Sequence, residues 1–259
     1  TNMWTWMSGG YSGGVNYGVQ QVAAASNSPG GRGAASAWTD SQGNFWMYGG
    51  TMFSSLDFGD MWKYDPSTNW WTWMAGTSGY NPPCTFTIPN VAGNGVPGAR
   101  FEGKSTWIDA CDRMWCYGGF YFPGSVLTWD QLWMFDPSTN LFTWIDGGNT
   151  WNPGAGMHNT YQIPSATNYP ASLGGAASFT DDSGYMWMFG GWTMTTPQGG
   201  INTLWRYEPV QDSCSITAAV YESNSGAFIA YPNPGNGTVF VQLSENMVVG
   251  GMQIQLFDA

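Results

Sequence analysis

Cationic side chains are nearly missing from this chain: 259 residues include 6 Lys plus Arg and one histidine, His158. Nucleic-acid binding draws most of its affinity from cations that meet phosphates. Six cations against 17 Asp plus Glu, a formal charge of -11, therefore exclude a nucleic-acid partner. The same shortage removes the polybasic segment that an anionic membrane surface attracts. Charge of either sign is scarce, at 9% of residues against roughly 25% in average soluble proteins, which excludes a coiled coil or a charged helical bundle. No apolar run approaches the roughly 18 residues of a membrane-spanning helix. A basic-apolar leader is also missing and residue 1 is Thr, so both ends read as cuts within a longer secreted precursor. What is plentiful is glycine and aromatic: 37 Gly, 17 Trp and 17% aromatic residues, a composition for short strands and turns rather than a disordered chain.

Three segments align with one another. The first runs Ala37-Trp38-Thr39-Asp40, Phe45-Trp46-Met47-Tyr48-Gly49-Gly50, then Met61-Trp62-Lys63-Tyr64-Asp65-Pro66-Ser67-Thr68-Asn69 and Trp71-Thr72-Trp73. The second runs Thr106-Trp107-Ile108-Asp109, Met114-Trp115-Cys116-Tyr117-Gly118-Gly119, then Leu132 to Asn140 and Phe142-Thr143-Trp144. The third gives Ser178-Phe179-Thr180-Asp181, Met186-Trp187-Met188-Phe189-Gly190-Gly191 and Leu204-Trp205-Arg206-Tyr207-Glu208-Pro209. Self-similarity at this spacing is the signature of a repeat architecture.

Each unit reads as four strands, a to d. Strand a carries small residues, such as Ala34 to Ala37 and Gly175 to Ser178, and suits an inner position. Strand b is apolar on both faces, as in a strand covered on both sides. The Gly pair that ends it permits a sharp turn. Strand c alternates, Trp62 and Tyr64 against Lys63, and an Asp-Pro-Ser-Thr-Asn turn leads to an outer Trp strand d. Asp40, Asp109 and Asp181 recur at every a–b turn, which points to turn capping rather than metal ligation. Asp57, Asp60, Asp181 and Asp182 lack the dense carboxylate spacing of a calcium loop.

This pattern resembles the kelch repeat, over residues 1 to about 216. The resemblance implies an all-β, kelch-type β-propeller, with an outer strand at 1–10 and blades at about 29–76, 97–147 and 170–216. Propellers have about four to eight blades, so three imply part of a larger ring. Thr1 to Trp6 matches Thr68 to Trp73 and is the outer strand of a blade, either of a missing upstream blade or of the third, whose Glu208-Pro209 no Trp-Thr-Trp follows. Long connections at 11–28, 77–96 and 148–169 separate the units. Two re-enter the next unit through Pro-Gly-x-Arg, ending at Arg32 and Arg100, whereas the third has Leu173 in that place.

In propeller topology the d–a connections and b–c loops share one face. The non-repeating aromatics there, Tyr80, Phe86, Phe120, Tyr121, Trp151 and Tyr161, are the candidate ligand-binding residues for a glycan or a protein; the alternative is that they merely pack the long loops. No catalytic residue, metal site or cofactor is expected. His158 is a solvated loop residue. Galactose oxidase uses kelch-type blades, but its copper site needs two His, so an enzyme of that kind would carry its site in missing blades. Thr180-x-Asp182-x-Gly184-x-x-Trp187 resembles the Asp-box of sialidases, a structural turn, and the arginines lie at non-equivalent positions rather than in a triad.

Residues 217–259 differ. Tyr231-Pro232-Asn233-Pro234 opening an alternating strand resembles the C-terminal sorting domain of type nine secretion cargo in Bacteroidota, a small β-sandwich, here partial. It implies export across the outer membrane by the secretion machinery and an extracellular or cell-surface protein. A self-assembling surface layer or filament is a further possibility for such a protein. Four cysteines in an exported chain suggest disulfides. From the propeller faces they occupy, the expected pairs are Cys84–Cys116 and Cys111–Cys214.

Overall fold

The computed structural model describes residues 2–10, 13–52, 56–93, 95–122, 124–150 and 154–210, together with the backbone of 228–232 and 239–243. The chain divides into two compact units, Thr1–Pro209 and Val210–Ala259. The expected boundary at 216/217 lies outside the described residues. The described residues are all-β: several antiparallel sheets, no helix, and no closed barrel or propeller ring.

The first sheet is a meander of β1 (Ser36–Thr39), β2 (Phe45–Tyr48), β3 (Gly59–Asp65) and β4 (Trp70–Thr77). The second begins with β5 (Ser105–Ile108) and β6 (Met114–Tyr117), then inserts a ribbon of β7 (Phe120–Tyr121) and β8 (Leu127–Thr128). It resumes with β9 (Leu132–Asp136) and β10 (Leu141–Asp146) in the order β10-β9-β6-β5. The third holds β11 (Ala177–Thr180) and β12 (Met186–Phe189), a ribbon of β13 (Trp192–Thr193) and β14 (Gly199–Gly200), and β15 (Leu204–Tyr207). The smaller unit contains a hairpin of β16 (Phe228–Pro232) and β17 (Val239–Leu243).

Local chemistry sets these elements. At each first hairpin one aspartate clasps the turn and the strand beyond it. Asp40 Oδ1 accepts from the Gln42 and Asn44 amides, and its Oδ2 accepts from Trp46 Nε1 at 2.8 Å. Asp109 does the same with Cys111, Arg113 and Trp115, and Asp181 with Ser183, Tyr185 and Trp187. These indole and backbone donors, with the Asn44 Nδ2 amide as a fourth at Asp40, hold Asp40 and Asp181 below the usual carboxylate pKa, against the opposing effect of burial. The glycine pairs after β2, β6 and β12 all have positive φ, for example 66° at Gly118 and 101° at Gly119. A Cβ on Gly118 would lie 2.3 Å from the Leu173 carbonyl oxygen, so both backbone sign and space demand glycine there.

The sheets pack face to face in series. Trp38, Trp46, Tyr48 and Met61 of the first meet Met114, Cys116, Trp133, Phe135 and Phe142 of the second. Trp107, Trp115, Tyr117 and Leu132 on the other side of the second meet Met186 and Met188, with Trp205 and Tyr207, of the third. Hydrogen bonds stitch the series: Trp38 Nε1 donates to Trp107 O at 2.8 Å and Trp107 Nε1 to Trp187 O at 3.0 Å. The Tyr48 hydroxyl donates to Gly98 O, and the Tyr117 hydroxyl to Pro170 O at 2.9 Å.

Strand b is expected to be covered on both faces. That holds for β6, all four of whose residues are buried, but not for β12. Phe179, Phe189 and Leu204, which occupy the places of Trp38/Trp107, Tyr48/Tyr117 and Met61/Leu132, are 57%, 51% and 58% exposed. Among the described sheets of the larger unit, none follows the third on that side.

Candidate functional site

The long connections and the residues after β6 converge at the glycine-pair end of the first two sheets. Arg32, from the first Pro-Gly-x-Arg, reaches into this region and forms an ion pair with Asp60 at 2.5 Å, both side chains almost fully buried. It also donates to Gly49 O at 3.1 Å, and its guanidinium lies 3.6 Å over the Phe58 ring. Asp60 further accepts from Tyr17 Oη at 2.9 Å and Trp62 Nε1 at 2.8 Å. Burial and then the Asp60 charge push the Tyr17 hydroxyl far above its ordinary value.

Arg100 repeats this arrangement with a neutral partner. It donates to Pro97 O at 3.1 Å, to Gly118 O and to Gln131 Oε1, and Gln131 in turn accepts from Trp133 Nε1 at 3.1 Å. In the third sheet the two positions are Leu173 and Thr203, and Trp205 Nε1 donates to Thr203 Oγ1 at 3.0 Å. The series Arg–Asp, Arg–Gln, Leu–Thr shows these arginines to be structural bolts. Beside Arg100, Lys104 Nζ donates to the Arg100 carbonyl at 3.0 Å, and burial lowers its pKa to about 7.

Two small clefts flank residues 120–122. One, of about 130 Å³, has walls that include Cys84, Phe86, Tyr121, Trp129 and Asn149. The other, of about 160 Å³, is lined by Thr51, Asp57, Phe101 and Phe122. Both fall below the roughly 300–1,000 Å³ of pockets for drug-sized ligands, so each fits one ring or side chain. In the first cleft Tyr121 stacks on Trp129 with centroids 6.4 Å apart, and Phe86 stands edge-on to Trp144 at 4.9 Å. Burial raises the Tyr121 hydroxyl pKa above its ordinary value, and Asn149 lines the same cleft. In the second, Asp57 accepts from Phe122 N at 3.2 Å, and burial raises its carboxyl pKa. Among the described residues no group of three or more His, Cys, Asp or Glu could hold a metal.

Of the six aromatic candidates, the structure brings Phe86 and Tyr121 together in one cleft. Phe120 is nearby but stacks on Phe101 at 5.8 Å. Tyr80 packs on Phe58 at 5.1 Å, Tyr161 is exposed and apart from the clefts, and Trp151 lies outside the described residues. Sequence reasoning missed Trp129, which stands under Arg100 where the first repeat has Phe58 under Arg32, and Asn149, which lies in the third long connection. It also missed the Asp60/Gln131 partners of the arginines; the signal was that the residue two before the strand-c Trp changes in step with the arginine.

The cysteines correct one expectation. Cys84 and Cys116 are free. The Cys84 thiol donates to Pro97 O at 2.7 Å, whereas Cys116 is buried in the apolar core between the first two sheets, so no Cys84–Cys116 bridge forms. Burial raises both thiols above their ordinary pKa. Cys111 is disulfide-bonded; its expected partner, Cys214, lies outside the described residues.

Comparison with known proteins gives no family: no protein-family model matches the chain, and no curated protein matches it either.

Proposed function

We propose that this chain is part of a kelch-type β-propeller, exported and displayed outside the cell, that binds a glycan through its long connections without catalysing a reaction. The observation that carries the reading is the cleft in which Phe86, Tyr121, Trp129 and Asn149 converge from three separate loops. Aromatic faces suit the apolar CH face of a sugar ring, and the phenol and amide supply hydrogen bonds to its hydroxyls. The three in-register sheets, each packed on the next, support the propeller reading. Tyr231-Pro232-Asn233-Pro234 and the β16–β17 pairing support a sorting tail.

A glycan array with the full chain tests this. A defined saccharide class should be retained, and Tyr121→Ala should weaken it at least 10-fold with an unchanged melting temperature. Absence of binding to any glycan overturns the reading. Removing residues from Tyr231 onward in the native host should trap the protein in the periplasm; normal display after that deletion refutes the export reading. A second reading, a subunit of a surface assembly, is favoured by the uncovered face of the third sheet.

A further inference from the structure

The cleft beside Tyr121 limits which part of a sugar it can hold. At about 130 Å³ it is too small for a whole saccharide, so a sugar would enter by one substituent with its ring at the mouth. Its described walls offer two polar side chains with no side-chain hydrogen bond among the described residues, Tyr121 and Asn149. Cys84 also lines it, but the thiol already donates to Pro97 O at 2.7 Å. The side chains of Pro82, Pro83 and Phe86 present carbon only, and the Trp129 Nε1 is buried.

Sugar substituents differ in what they ask of such walls. A carboxylate or sulfate needs a cation, and the formal charge of the chain is -11. The guanidinium beside the Trp129 ring, that of Arg100 at 5.4 Å, is fully buried and donates to Pro97 O, Gly118 O and Gln131 Oε1. A free ammonium needs a carboxylate, and the described walls include none. Several ring hydroxyls would need a partner each, and some would be buried unmet against Pro82, Pro83 and Phe86. A bare methyl, as in a 6-deoxy sugar, would take nothing from Tyr121 or Asn149. An acetamido group matches on every count, since it has one methyl, one acceptor and one donor.

We propose that the cleft is a subsite for the acetamido group of a 2-acetamido-2-deoxy sugar, an inference that rests on the glycan reading above. The methyl lies against Phe86 and Trp129, the carbonyl oxygen accepts from Tyr121 Oη, and the N–H donates to Asn149 Oδ1. The sugar is neutral, as the acidity of the chain requires.

Titration of the full chain with methyl glycosides tests the proposal. Those of N-acetylglucosamine or N-acetylgalactosamine should bind at least about 10-fold tighter than those of glucose, galactose, glucosamine and fucose, the equivalent of one well-made hydrogen bond. In saturation-transfer NMR the acetamido methyl should receive more saturation than the ring protons. Equal binding of the plain hexosides or of the fucoside, or saturation greatest on the ring, overturns the acetamido subsite and leaves the glycan reading standing. Absence of binding by these glycosides and by every arrayed glycan overturns both. Asn149 is an exposed loop residue, so Asn149→Ala should keep the melting temperature and reduce the preference for the acetamido sugar about 10-fold. Tyr121→Phe keeps the ring on Trp129 and should weaken the acetamido sugar by a similar factor. A preference that survives both variants places the acetamido group elsewhere and overturns the proposal.

Discussion

The second and third sheets carry one sequence pattern and end in different surroundings. Trp107, Tyr117 and Leu132 are sealed between two sheets, and Trp107 and Tyr117 each place a polar hydrogen on a neighbouring carbonyl. Phe179, Phe189 and Leu204 occupy the same places, half uncovered and without those hydrogens. A strand that is apolar on both faces therefore announces that it is to be covered, but not by what. The polar atoms are the finer indicator: Trp and Tyr stand where a carbonyl of a neighbouring segment is in reach, and Phe where no described sheet of the larger unit follows. An indole N–H or phenol buried without an acceptor would cost about 1–3 kcal/mol.

Paired substitutions should sharpen that contrast. The largest effect is expected at the glycine pairs. Gly118→Val must clear the Leu173 carbonyl from 2.3 Å and hold a β-branched residue at φ 66°. A loss above about 4 kcal/mol in urea unfolding is expected. Gly190→Val, whose Cβ would meet nothing closer than the Ile201 oxygen at 3.3 Å, carries mainly the left-handed strain of about 1–2 kcal/mol. Equal losses at the two sites would show that the third sheet is as tightly enclosed as the second.

Next come the outward faces. Trp107→Ala should cost about 3–5 kcal/mol, as for truncation of a buried aromatic, whereas Phe179→Ala, measured in dilute monomer, should cost less than about 1 kcal/mol. The arginines follow. Arg32→Met strands the buried Asp60 carboxylate and should cost about 3 kcal/mol. Arg100→Met leaves only the neutral Gln131 and should cost nearer 1–2 kcal/mol, that of a few lost hydrogen bonds. A reversed order would mean that Tyr17 and Trp62 alone satisfy Asp60. The smallest effect is a gain. Ala34 sits at φ 56° where the other repeats have Gly103 and Gly175 at 72° and 75°, so Ala34→Gly should add about 0.5–1 kcal/mol to thermal stability.

The repeat strands, the glycine corners and the aspartate clasps were legible in the sequence because each depends on residues a few positions apart. Asp40 needs only Gln42, Asn44 and Trp46 to express its role. What was not legible depends on approach between distant segments. The ribbons β7–β8 and β13–β14 follow the glycine pairs at the same place in two repeats, but each strand is two residues long and their sequences differ, so no alternation marks them. Cys84 and Cys116 lie near the same buried arginine, but a carbonyl and an apolar core claim their side chains separately. The candidate site was half legible: its aromatics lie in connections that sequence marks as special, while only the fold separates Phe86 and Tyr121 in a cleft from Tyr161 in the open.

The Arg32–Asp60, Arg100–Gln131 and Leu173–Thr203 series also bears on how such a molecule can change by mutation. A buried ion pair resists loss, since removal of its cation strands a buried charge and a carboxylate change must leave the cation tolerable. The middle member shows a tolerated intermediate: the single Oε1 of glutamine accepts from both the guanidinium and the neighbouring indole while the charge is given up. From there the arginine is free to become leucine and the glutamine threonine, provided the indole keeps an oxygen to bond, as Trp205 does. One chain thus displays three stations on a path by which duplicated units can trade an ionic bolt for an apolar one without passing through an unfolded sequence.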